Sequence, residues 1–123
     1  MARIKTGAIV ISWDSIIPGR EAKMFEVFGK VLQYASELER AGRIFGTQMF
    51  VPMTRPGQDT LMVLGELEQL ADLLIDDAFE ALTLEGMLVA NHLSVGLVAG
   101  GAPESLQEGL QMSADKMKEH GLL

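Results

Sequence analysis

An extended apolar run, an amphipathic helical stretch and a second extended run occur twice in succession in this chain of 123 residues. The first pass covers 6–13, 19–41 and 44–53. The second covers 60–66, 67–84 and 87–99. Each run or stripe with an apolar face must bury it against another element. Two β-α-β units this close in sequence are therefore expected to share one sheet and to pack their helices on it.

The order βαββαβ is the ferredoxin-like arrangement, so the fold class expected here is α+β. Residues 1–123 read as a single domain with its core at about 6–99. Thr6 to Trp13 is apolar on both faces, as a central strand covered on both sides would be. Phe25, Phe28, Leu32, Ala35 and Leu38 make an apolar stripe on the first helix, and Gly42 is its expected stop. The turn 54–59 joins two strands too closely for a parallel pair, which needs a long crossover. Leu67, Leu70, Leu74, Ala78 and Ala81 make the second stripe, which Asp76-Asp77 is expected to kink or break. The last strand is expected over 87–98. Gly100-Gly101 reads as a hinge, and Pro103 as the first residue of a third helix over about 103–120. That helix carries a stripe of Leu106, Leu110, Ala114 and Met117, which needs a partner.

Composition narrows the function. Hydrophobic residues make up 48% of the chain, enough for a real core, and the net charge is −7. Phosphate binding needs clustered Lys and Arg, so nucleic acid is not an expected partner. Without cysteine, thiolate nucleophiles, disulfides and Cys-bound metals are excluded, and a cytoplasmic setting is expected. No apolar run approaches the roughly 20 residues that span a bilayer, and the short polar start does not read as a signal peptide.

Helices in a βαββαβ unit cover one face of the sheet. The strands here are apolar on nearly every position, so the other face would be bare and would serve assembly. The chain resembles the dimeric α+β barrel superfamily, which includes antibiotic-biosynthesis-type monooxygenases and EthD-like and YCII-like proteins. The resemblance covers about Thr6 to Gly101. It rests on element order, on the double βαβ and on the stretch Leu74 to Ala81, which resembles the Asp-centred turn that commonly breaks the second helix of such proteins. It implies a homodimer whose two sheets pack face to face. Some members of the group use Trp, Asn and His in cofactor-free oxygenation. This chain has those residue types but lacks the Asn expected early in the first strand.

Among candidate functional residues, His92 is the only histidine inside an expected element, and it is the best candidate for a general base. Strand alternation places Ala90, His92 and Ser94 on one face and the bulkier Val89, Asn91, Leu93 and Val95 on the other. His92 and Ser94 are thus expected to face the barrel interior, with Ser12 and Gln48 as the nearest polar partners. Trp13 ends the first strand, at an expected pocket rim. The expected ligand-binding set is Ser12, Trp13, Gln48, His92 and Ser94. Arg20 and Arg55 could meet an anion, and Asp76, Asp77 and Glu80 form an acidic group. Asp residues at a helix break usually cap, so no metal is expected, and no cofactor either. Tyr34 lies off the first stripe and is expected at the surface or the sheet edge. The reading is a homodimer whose barrel takes a small, largely apolar molecule. Its rivals are a cofactor-free oxygenase or isomerase using His92, and an assembly protein with a filled barrel.

Overall fold

The computed structural model describes residues 4–54, 56–101 and 105–122. In chain order the elements are β1 (Thr6–Trp13), β2 (Ser15–Ile16), α1 (Glu21–Arg40), β3 (Gly46–Phe50), β4 (Asp59–Glu66), α2 (Leu67–Leu74), α3 (Asp77–Met87), β5 (Ala90–Asn91), β6 (Ser94–Ala99) and α4 (Ser105–Glu119). The main sheet has the order β3-β4-β1-β6 with every neighbour antiparallel. That is the ferredoxin-like α+β topology. β2 and β5 form a separate two-stranded ribbon.

Register decides which side chains meet the helices. Residues paired across an antiparallel ladder share a face. Ile9, Ile11 and Trp13 of β1 align with Val63, Leu61 and Asp59 of β4, and Ile9, Trp13, Leu61 and Val63 are buried beneath the helices. Leu38 of α1, Leu70 and Leu73 of α2 and Phe79 of α3 close the core over Ile9 and Val63. Ala8, Val10 and Ser12 point the other way, with Met62 and Leu64 of β4, Gln48 and Phe50 of β3, and Ser94 and Val98 of β6. On this open face Phe50 keeps 52% and Val98 46% of its surface exposed.

Three features differ from the sequence expectation. The buried stripe of α1 contains Val27 and Leu38, with Met24, Phe28 and Val31 packed beside it, while Phe25 and Leu32 are exposed. Two overlapping stripes fit the helical period, and contact with the sheet selects the one with smaller side chains at its middle. The second helix breaks at Asp76 into α2 and α3 as expected, but the stripe restarts beyond the break rather than continuing through it. Phe79 is buried, whereas Ala78 and Ala81 are exposed. The expected last strand is interrupted: α3 runs through Met87, and His92 sits in a left-handed turn with φ of 55° between β5 and β6.

The break itself has a local cause. Asp76 is extended, and its carboxylate accepts the Ala78 N–H at 3.0 Å, capping α3. At the end of α1, Gly42 takes φ of 73°, a conformation that suits glycine. Pro103 lies outside the described residues. Beyond it, α4 has Gly109 beside Ile4, but Leu106, Leu110 and Met117 are exposed. Of the two expected partners for its stripe, the chain's own sheet and a second copy, the first therefore does not cover these residues.

Candidate binding cavity

Between the helix-facing side of the sheet and helices α1 and α3 lies a cavity of about 80 Å³, open on one side. β1 supplies Ile11 and Trp13, β4 supplies Leu61 and Val63, α1 supplies Phe28 and Val31, and α3 supplies Phe79 and Leu82. The lining follows from the pleat: the same alternation that buries Ile9 in the core directs Ile11 and Trp13 into the cavity, further along β1. The expected barrel cavity between two sheets is thus not the cavity found within one subunit, which lies on the helix side.

Tyr34 is the one polar feature that stands out. Its hydroxyl oxygen is buried, and no protein group meets it in hydrogen-bond geometry. Leaving a buried hydroxyl unpaired costs about 1–3 kcal/mol. Burial raises the Tyr34 pKa first; the charge of the nearby Asp76 carboxylate and a weak hydrogen-bonding interaction with it raise it further, against a lowering by the Arg43 charge. That carboxylate also accepts from the Ala78 N–H at 3.0 Å and from the Arg43 guanidinium at 3.4 Å. The other polar lining residues are Thr83, whose hydroxyl donates to the Phe79 carbonyl at 2.9 Å, and Thr47 on the exposed edge strand. Tyr34 was not among the residues singled out for binding. Its period-four spacing from Leu38 is the signal that places it beside the buried stripe.

The expected ligand set divides across the molecule. Trp13 lines the cavity and is 4% exposed. Ser12, Gln48 and Ser94 share the open face of the sheet, with the Ser12 hydroxyl 3.4 Å from that of Thr60. His92 joins neither group. Its side chain is 80% exposed, and its Nδ1 lies 2.6 Å from the Asp14 carboxylate. The left-handed turn breaks strand alternation, so the ring leaves the sheet and points into solvent. Asp14 also accepts from the Gln58 amide at 2.8 Å. That bond is the largest influence holding the Asp14 carboxyl below its ordinary value; desolvation opposes it, and the His92 hydrogen bond and charge lower the carboxyl further.

Other candidates have structural partners. Arg20 donates to the Leu88 carbonyl and ties the start of α1 to the end of α3. Arg55 lies outside the described residues. Among the described residues no group of three His, Cys, Asp or Glu side chains is arranged to hold a metal ion, and no helix is long and apolar enough to cross a membrane.

No protein-family model matches the chain. Among curated proteins it is 32% identical, over 121 aligned residues, to argininosuccinate lyase of Chromohalobacter salexigens; the match takes in 86% of this chain but spans only 25% of that protein's length. In three dimensions it is similar to a crystal structure from Caulobacter crescentus CB15, provisionally described as an antibiotic biosynthesis monooxygenase. The TM-score is 0.57 at 17% identity, over 80% of this chain and 92% of that one. The chain thus shares the ferredoxin-like α+β fold of that structure.

Proposed function

We propose that this chain is a cytoplasmic, homodimeric domain that binds a small, largely apolar molecule between its sheet and its helices. The observation that carries the reading is the apolar cavity against Trp13, Phe28 and Leu61. Small-molecule sites are concave and mostly apolar, with few polar groups to orient the ligand. Homodimerisation is supported by the open face, where Val10, Met62, Leu64, Phe50 and Val98 form an apolar surface that the chain's own helices do not cover. A second copy presenting the same face would bury both; obligate interfaces of this kind bury on the order of 2,000 Å² or more.

Binding is favoured over catalysis because Tyr34 is the only ionisable side chain among the described lining residues. The rival in which His92 works inside a barrel loses its geometry, since that ring stands in solvent. Likeness to a segment of argininosuccinate lyase does not bring that activity with it: so charged a substrate finds no counter-charge in an apolar cavity.

The test is a methyl NMR titration with 2-methyl-1-butene. Saturable shifts at the Leu61, Leu73 and Val63 methyls are expected, and Ala35→Leu, which fills the cavity, should abolish them. Equal binding by the Ala35→Leu variant would overturn the reading.

A further inference from the structure

The cavity opens at the β3 edge of the sheet, because Thr47 is the only exposed residue among its described lining residues. The rim there is apolar. Met49 shares the helix-facing side of β3 with Thr47, and Phe45 precedes them by alternation; Phe45 and Met49 are exposed. The other rim is α1. Lys30 holds Glu85 of α3 at 2.9 Å, and Phe25 and Leu32 lie about half a turn round the helix from Lys30, on the flank toward β3. Both are exposed. An apolar groove between α1 and β3 therefore leads into the cavity.

The same chain carries an apolar helix with no seat. Among the described residues no helix or strand packs broadly on α4, and Leu106, Leu110 and Met117 are exposed. A helix of this length draws most of its stability from packing an apolar face. Its own groove is out of place for it. The Gly100 N–H bonds the Thr6 carbonyl at 2.9 Å, so the chain leaves the sheet at β6, the edge opposite β3.

We propose that the α4 of a second copy lays Leu106, Leu110 and Met117 into this groove and roofs the cavity mouth, so that each copy completes its partner's binding site. This rests on the homodimer and the binding function proposed above and adds the wall that the partner supplies. Symmetry supplies the route. When two open faces pack about a two-fold axis parallel to the strands, the β6 edge of each copy lies over the β3 edge of the other. The lengths agree: Leu106 to Met117 spans about 17 Å of helix, and Phe45 to Val51 about 20 Å of extended chain. The areas agree as well. Four strands about 4.8 Å apart and roughly six residues long give flat faces that together bury only about 800 Å². Stable interfaces bury about 1,200–2,000 Å². Seating both α4 helices, each a strip of about 22 by 10 Å, brings the total to about 1,600 Å².

The chain has no cysteine, so introduced thiols report without background. Met49→Cys chains are co-expressed with Leu106→Cys, Leu110→Cys or Met117→Cys chains in turn and oxidised, and a disulfide forms only where Cα atoms come within about 7 Å. At least one unlike pair is expected to give a covalent dimer that neither single variant gives. Absence of an unlike link from all three pairs, in a protein that light scattering shows to be a dimer, overturns the exchanged helix and leaves the homodimer intact. A monomer in light scattering overturns both. Each pair is also placed on one chain, where a link closed within that chain would mean that α4 docks at home and would overturn the exchange.

Discussion

Replacing Asp76 with alanine should loosen the cavity wall at one identifiable joint. Asp76 caps α3 through the Ala78 N–H at 3.0 Å and holds Arg43 at 3.4 Å. Loss of an N-cap acceptor costs about 1 kcal/mol, within a range of about 0.5–2. The Arg43 pair is partly exposed, with side-chain exposures of 39% and 30%, so it adds only about 0–1 kcal/mol. The sum is about 1–2 kcal/mol. With a urea m-value of about 2 kcal/mol/M for a small protein, the midpoint should fall by about 0.5–1 M at unchanged m. Asn caps as well as Asp, so Asp76→Asn should lose only the ion pair and cost less than about 1 kcal/mol. The assay is urea unfolding of all three proteins at one fixed protein concentration, because a dimer's midpoint depends on concentration. An Asp76→Ala midpoint equal to that of the unaltered protein would refute the capping argument. So would an Asp76→Asn variant as unstable as Asp76→Ala.

Light scattering at micromolar concentration should give twice the 13.4 kDa chain mass, and Phe50→Glu on the open face should halve it; a monomeric unaltered protein would rule out the face-to-face dimer. Asp14 contributes stability through a lowered folded pKa, so its contribution is present above the ordinary carboxyl value of 3.8 and is lost as pH falls through the lower folded value. Asp14→Asn should therefore flatten the acid side of the stability profile while changing little near neutrality, and an unchanged acid slope would exclude this role. Leu70 and Leu73 are both fully buried, but only Leu73 lines the cavity. Truncating either to alanine should cost about 2–5 kcal/mol, and Leu73→Ala alone should admit hydrocarbons larger than 2-methyl-1-butene in an NMR titration.

The fold was legible where the deciding interactions are local. Gly42 ends α1 because a left-handed stop is written in one residue, and Asp76 breaks the second helix because capping needs only a carboxylate two residues before an N–H. The strand order followed from the doubled β-α-β pattern alone. The candidate site was less legible because it depends on facing. Residues 87–98 read as continuous alternation, yet a single left-handed residue at His92 turns that ring out of the sheet, while Ser94 keeps the open face and Val95 the helix side. Asn91-His92 carried a faint signal of this, since Asn and His tolerate that conformation better than most residues. On α1, the stripes through Phe25 and through Val27 share Phe28, Ala35 and Leu38, so periodicity could not choose between them. The same ambiguity hid Tyr34, which belongs to the buried stripe that the sheet selects.

The central claim is that a small molecule enters on the helix side of the sheet rather than between two sheets. A crystal structure under xenon pressure tests it most directly, because xenon enters apolar cavities without needing a specific ligand. Xenon density is expected among Trp13, Phe28, Leu61 and Phe79, within one subunit. Density only against Val10, Met62 and Val98, between the sheets of two copies, would contradict the account, as would a helix-side cavity closed by its own side chains.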